Sequence, residues 1–219
     1  MLVELFAASG SPYAWRAQLA LELKGIPYVL HILSFAERAT QSPEFLAMNP
    51  RGRVPVLKVG DFVLTESSAI LGYLDAKWPE PPLFGKGPED RARVLEAFGQ
   101  IMSYIEPVAP RIYKPIFRGG AAADREGAAA AAIEFHAELA GFEATLQRRP
   151  WLAINSLSAA DLALYPLVQL LLRAGSRPAA AGYALDLTLE RYPAIRAWCG
   201  RIEAIPGFAR TWPSHWREG

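Results

Sequence analysis

The chain has 219 residues, of which 52% are hydrophobic and 21% charged, with a formal net charge of +1. That is enough apolar surface for one large core or two modest ones, and it sets up no global field to draw in nucleic acid or an anionic membrane. A single cysteine, Cys199 in the apolar stretch "AIRAWCGRI", excludes an internal disulfide and a thiolate metal cluster. His31, His136 and His215 lack metal-ligand spacing, so no metal is expected.

The opening stretch has no basic leader ahead of its short apolar run, so no signal peptide is expected and the cytoplasm is the default location. "LVELFA" (Leu2–Ala7) reads as a buried strand, and "YAWRAQLALELKG" as an amphipathic helix closed by Gly25. "PYVLHIL" (Pro27–Leu33) is a second strand, followed by a short helix near Pro43–Met48. "VPVLKV" (Val54–Val59) and "FVLT" (Phe62–Thr65) flank Gly60-Asp61, which suits a tight hairpin. "ESSAILGYLDAKW" (Glu66–Trp78) completes the order βαβαββα, a small mixed sheet with helices packed against it.

"PEPPLFGKGPED" (Pro79–Asp90) packs four prolines and two glycines into a linker. Beyond it the pattern is helical: Glu89–Ile105, Asp124–Gln147, Ala159–Leu172 and Leu189–Ile205. The most apolar run, Leu162–Leu172, is too short to span a bilayer. At its start Ser158 and Asp161 have capping-box spacing, with Leu157 and Leu162 at the positions of a hydrophobic staple. Asp161 is therefore assigned to structure, and Pro166 is expected to bend the helix. The basic pair Arg148-Arg149 reads as a solvated helix end.

Three segments offer chemistry beside an ordinary structural role. In "GSPYA", Ser11 takes an N-cap position with Pro12 at the first helical residue, which caps a helix whatever else it does. The same geometry sets a hydroxyl beside unpaired N–H groups at the positive end of a helix dipole, where a thiolate is favoured. In "NPRGRVPVL", Pro55 opens a strand after a β-branched residue. A plain turn accounts for this. So does a cis Val54-Pro55 bond that leaves the Val54 main chain free to pair with an extended ligand. In "TESSAI", Glu66 and Ser67 open a helix, either as dipole-complementing residues or as partners for a ligand's ammonium and carboxylate. No G-x-S-x-G elbow accompanies Ser11, which argues against hydrolase-type serine chemistry.

Taken in this order, "SPYA", "NPRGRVPVL", "TESSAI", "YLDAKWPEPPLF", "PWLAINSLSAADLALYP" and "RYPAIRAWCGRIEAIPGF" resemble the glutathione transferase family over essentially the whole chain. The resemblance implies a thioredoxin-like N-terminal domain (1–79), a linker (80–88) and an all-α C-terminal domain (89–219), assembled as a homodimer. Glutathione is implied as co-substrate, with no tightly bound cofactor. Ser11 matches the serine or cysteine that contacts the thiol, with Ser9, at the strand end, as second choice. Val54 matches the residue whose main chain pairs with the cysteinyl part, Arg53 its variable ligand-facing neighbour, and Glu66 with Ser67 the pair holding the γ-glutamyl end.

A small, largely apolar electrophile is expected to enter between the domains, beside Ile101, Tyr104, Val108, Arg111 and Tyr113. The chain departs from the family's redox branches in having Ser11 and Ala14 where their cysteines stand, and Ile154 replaces a usual glycine. A non-catalytic glutathione-binding module, and glutathione-dependent reduction or isomerisation, are the alternatives.

Overall fold

Strand β1 (Val3–Ala7) alternates buried and half-buried residues, placing Val3, Leu5 and Ala7 in the interior. The computed structural model to which it belongs describes residues 2–119, 124–183 and 185–216; Met1 and 217–219, the ends of the two expected domains, lie outside them. After β1 come α1 (Pro12–Leu23), β2 (Val29–Ile32), α2 (Pro43–Met48), β3 (Val56–Val59), β4 (Phe62–Thr65) and α3 (Ser67–Lys77). The sheet order is β2-β1-β3-β4, with β1 parallel to β2 and antiparallel to β3, and β3 antiparallel to β4. Helix α1 supplies the crossover that the parallel pair requires. This is the thioredoxin-like βαβαββα arrangement, and an all-helical region follows it.

The helical region comprises α4 (Pro88–Gln100), α5 (Ala109–Arg118), α6 (Arg125–Leu146), α7 (Ala159–Ser176) and α8 (Pro193–Glu203), with the single turn α9 (Phe208–Thr211) after them. Contacts divide the chain into two units, 2–84 with 203–216, and 85–202. The expectation carried the helical domain through to 219. Instead, the last described turns pack on α1. Trp15 donates through Nε1 to Thr211 Oγ1 at 2.9 Å. Its ring meets those of Trp212 and Trp216 edge-on, at 5.5 and 5.4 Å.

Helix α1 is not the amphipathic surface helix that its pattern suggests. Every residue from Ala14 to Glu22 is buried, including Arg16, Gln18 and Glu22, because α3 and α9 both pack against it. The polar side chains survive burial through partners. Glu22 forms an ion pair with Arg210 and accepts from Tyr28 Oη at 2.9 Å, while Gln18 donates to Tyr28 Oη at 3.1 Å. At the helix end, Lys24 Nζ reaches Asp75 Oδ1 at 3.3 Å and the carbonyls of Trp78 and Pro81 at 2.6 and 2.7 Å. That contact fixes α1 to α3 and to the start of the linker.

In the helical unit, α4 continues into a π-helical turn, Ile101–Ile105, rather than running unbroken. Helix α5, which is not among the expected helices, follows Pro107 and contains Pro110 and Pro115. Pro110 falls in its first turn, where a missing N–H is harmless, and Ala109, Ile112 and Ile116 bury one face. Helix α8 begins only at Pro193. Pro166 stands inside a continuous α7. Arg149 is not simply solvated: it donates to the carbonyls of Leu152 and Ala153 at 2.6 and 2.8 Å.

Asp161 is fully buried and structural, as its spacing indicates. Its Oδ2 accepts from Ser158 N and Oγ at 2.9 and 2.7 Å, and its Oδ1 from Leu152 N and Trp198 Nε1 at 3.0 and 2.8 Å. Burial pushes its carboxyl up from the ordinary range, and the four donors pull it down. Asp161→Ala strands those donors in an apolar core, so its cost exceeds that of a lost cap. A loss of about 3–5 kcal/mol is expected, measured by urea unfolding, with Asp161→Asn closer to the parent.

Candidate active site

Strand register explains why three distant segments meet. Phe6 of β1 pairs with Val56 of β3, and Val56 in turn with Thr65 of β4. Because β3 runs antiparallel to both neighbours, the segment leaving β1 (Ser9–Ser11), the one entering β3 (Arg53–Pro55) and the one leaving β4 (Glu66–Ser67) share one end of the sheet. That shared end gathers the three segments in which the sequence offers chemistry.

Ser11 is the N-cap of α1, with extended backbone and a side chain accepting from Ala14 N at a long 3.4 Å. Pro12 occupies the first helical position. In the cap Ser11 Oγ only accepts, so its own proton is left to be donated, next to the positive helix end. Gly10, just before it, has φ +80°, a region that favours glycine. A Cβ there would lie 3.0 Å from His215 Cε1 and 3.1 Å from Trp216 Nε1.

Ser9, the second choice, already has a partner: its Oγ lies 2.7 Å from His215 Nδ1, across 206 residues of sequence. Sequence reasoning missed His215, which has no motif around it and comes near only through the docking of 203–216 on α1. Ser9, Gly10 and Ser11 line a cavity of about 140 Å³, and Leu30, Ile32 and Trp212 are among its other lining residues.

The Val54-Pro55 bond is cis. Among the described residues the N–H and C=O of Val54 pair with nothing else in the protein. Asn49, buried, shapes the approach: its Nδ2 donates to Arg53 O at 2.6 Å and its Oδ1 accepts from Arg51 N at 3.1 Å. Arg53 itself is exposed.

Glu66 is exposed and holds φ 64°, ψ 116°, a conformation that costs a non-glycine residue about 1–3 kcal/mol. Ser67, buried at the start of α3, accepts from Arg16 Nη1 at 3.5 Å. A buried guanidinium therefore stands behind the helix end, and both favour an anion there.

The five residues expected to face an electrophile differ in exposure and in partners. Ile101 is fully buried and Val108 nearly so. Arg111 forms a two-pronged ion pair with Glu134 of α6, at 2.9 and 2.8 Å. Tyr104 is exposed on a groove between α4 and α6. Tyr113 is half-buried beside Phe117, with its hydroxyl pushed up by burial. Among the described residues no group of three His, Cys, Asp or Glu side chains could hold a metal ion, and no helix is long and apolar enough to cross a membrane.

Comparison with known proteins places this geometry in context. Residues 10–77 match the model of the glutathione S-transferase N-terminal domain, and residues 96–206 that of the C-terminal domain. Glutathione S-transferase A of Pleuronectes platessa is 30% identical over 98% of this chain and 92% of its own length. Human glutathione S-transferase theta-2 is 34% identical over 94% of this chain and 83% of its own. The crystal structure of a glutathione S-transferase from the Antarctic clam Laternula elliptica superposes with a TM-score of 0.85 at 29% identity, covering all of this chain and 95% of that one.

Gly10→Ala is expected to cost about 1–2 kcal/mol and to displace His215 and Trp216. Loss of thermal stability together with an altered tryptophan emission would register both effects.

Proposed function

Because the chain belongs to the glutathione S-transferase family, we propose that it conjugates glutathione to a small, largely apolar electrophile. In this reading Ser11 Oγ donates a hydrogen bond to the glutathione sulfur, and the α1 N-terminus adds the field of its unpaired N–H groups. Each unit by which the thiol's pKa falls is worth about 1.36 kcal/mol in favour of the thiolate. The cysteinyl part pairs with the main chain of Val54, beside Arg53. The γ-glutamyl carboxylate is received by Ser67 and the start of α3, and its ammonium by Glu66. Proximity of the bound thiolate to the electrophile supplies the rest.

The observation that carries this is the convergence of those segments at one end of the sheet, set by the Phe6–Val56–Thr65 register. Each offers what one part of a γ-glutamyl tripeptide lacks: a hydroxyl for sulfur, unpaired amide groups for a peptide, and a helix start for a carboxylate. Disulfide-exchange chemistry is poorly supported, since Ser11 and Ala14 occupy the reactive positions and Cys199 is buried within α8. A homodimer in the cytoplasm is proposed on the family relationship.

Retention on immobilised glutathione, with conjugation of chlorodinitrobenzene, tests the reading. Ser11→Ala should lower turnover about a hundredfold with little change in glutathione affinity, and Ser67→Ala should raise the glutathione Kd about tenfold. Binding without turnover toward a panel of electrophiles would make the chain a binding module instead. Failure to bind glutathione would remove the proposal.

A further inference from the structure

The turn between β1 and α1 carries a second hydroxyl that the glutathione reading leaves unused. We propose that Ser9 and His215 form a nucleophile–base pair that hydrolyses small activated esters. The activity needs no glutathione and stands or falls apart from the transferase reading.

Ser9 sits within a sharp strand-to-helix turn. Ser11 N donates to Ala8 O at 3.0 Å, closing the turn, and Gly10 holds φ +80° inside it. A serine on such a turn presents its hydroxyl beyond the end of the strand, as the nucleophiles of α/β-hydrolases do. Ser9 Oγ lies 2.7 Å from His215 Nδ1, within the reach that a base needs to take its proton. Among the described residues the Ser9 hydroxyl has no other hydrogen bond. The imidazole is held in place as well. Its Cε1 lies 3.0 Å from where a Cβ on Gly10 would stand, and its neighbour Trp216 meets Trp15 and Trp212 edge-on at 5.4 and 5.9 Å. Such pairs are recognised by geometry rather than by sequence, so partners 206 positions apart leave no motif.

Two further features suit an ester. The N–H groups of Ser9 and Gly10 pair with nothing among the described residues. Gly10 follows the nucleophile, the position that supplies an oxyanion donor in α/β-hydrolases. Ser9 also lines the cavity of about 140 Å³ whose lining includes Leu30, Ile32, Trp212 and Pro213. A space of that size takes a benzene-sized group, so a short acyl chain fits and a long one does not. Ser9 is half-buried and His215 exposed, which leaves the pair open to water.

With the imidazole proton on Nε2, Nδ1 accepts from the Ser9 hydroxyl. Ser9 Oγ adds to the ester carbonyl carbon as its proton passes to Nδ1. The bond to the leaving oxygen then breaks, and the imidazolium gives that oxygen its proton. An alcohol or phenol departs, and acyl-Ser9 remains. Water adds to the acyl carbon and gives a proton to Nδ1. The bond from that carbon to Oγ breaks, Oγ takes the proton back, and the carboxylic acid leaves. Water is the only co-reactant.

The test is hydrolysis of p-nitrophenyl acetate by the full-length protein without glutathione. Release of p-nitrophenol faster than from an equal concentration of free imidazole is expected, with an acetyl group on the peptide that carries Ser9 after acid quenching. Ser9→Ala should abolish both, and His215→Asn should slow release about a hundredfold. The butyrate ester should react much as the acetate does, and the octanoate far more slowly. Tryptophan emission shows whether segment 211–216 stays docked in His215→Asn; if it does not, Ser9→Ala decides.

Release no faster than with free imidazole would overturn the inference. So would release that survives Ser9→Ala, acetyl groups found only on other residues, an unchanged rate in a docked His215→Asn, or equal rates for the octanoate. Conjugation of chlorodinitrobenzene reads the transferase proposal separately, so either can fail alone.

Discussion

The antiparallel seating of β3 between β1 and β4 is the constraint on which the candidate site depends. It brings residues 9–11, 53–55 and 66–67 to one end of the sheet, although more than fifty positions separate the first from the last. No side chain of the site has to reach far, because the backbone has already made the approach. A register slip of one residue would turn every buried strand residue to the opposite face, and the alternation of Val3, Leu5 and Ala7 in the interior opposes it. The site's geometry is thus secured by the same apolar contacts that hold the sheet.

Around that frame, several buried polar side chains have partners. Arg16 turns to Ser67, Glu22 to Arg210 and Tyr28, and Asn49 to the main chain of Arg51 and Arg53. Each replaces lost hydration with a partner. In the helical unit Asp161 does the same on a larger scale, joining the residues before α7 to Trp198 of α8. Such residues are easily mistaken for catalysts. What distinguishes Ser11 and Val54 is the reverse condition, capacity left over after the fold has taken its share.

Much of this was legible in the sequence, and the reasons differ from place to place. Strands and the hairpin could be read because their apolar alternation and Gly60-Asp61 are local signals. The capping role of Ser11, the turn before Pro55 and the box at Ser158-Asp161 are also local. Helix α5 is less legible, since Pro110 and Pro115 stand within the span of its Ala109, Ile112 and Ile116 stripe. The burial of α1 could not be read from its own residues, since it depends on what packs against the helix's second side. His215 was invisible for the same reason: its partner stands 206 positions away, and only the docking of the tryptophan-rich segment brings them together. The residues proposed for the electrophile were the least legible, because a helix's pattern says which face is apolar but not which neighbour covers it. Ile101 and Val108 belong to the core.

Lys24 shows how far such coverage can change a residue's behaviour. Its side chain has 0% relative exposure, and three oxygens surround the ammonium. Burial draws its pKa down while Asp75 holds it up. An amine so enclosed is lost to acylating reagents that would readily modify an ordinary surface lysine. Its appearance among labelled peptides would mark the moment when the first and third helices part, giving an unfolding clock already built into the native chain.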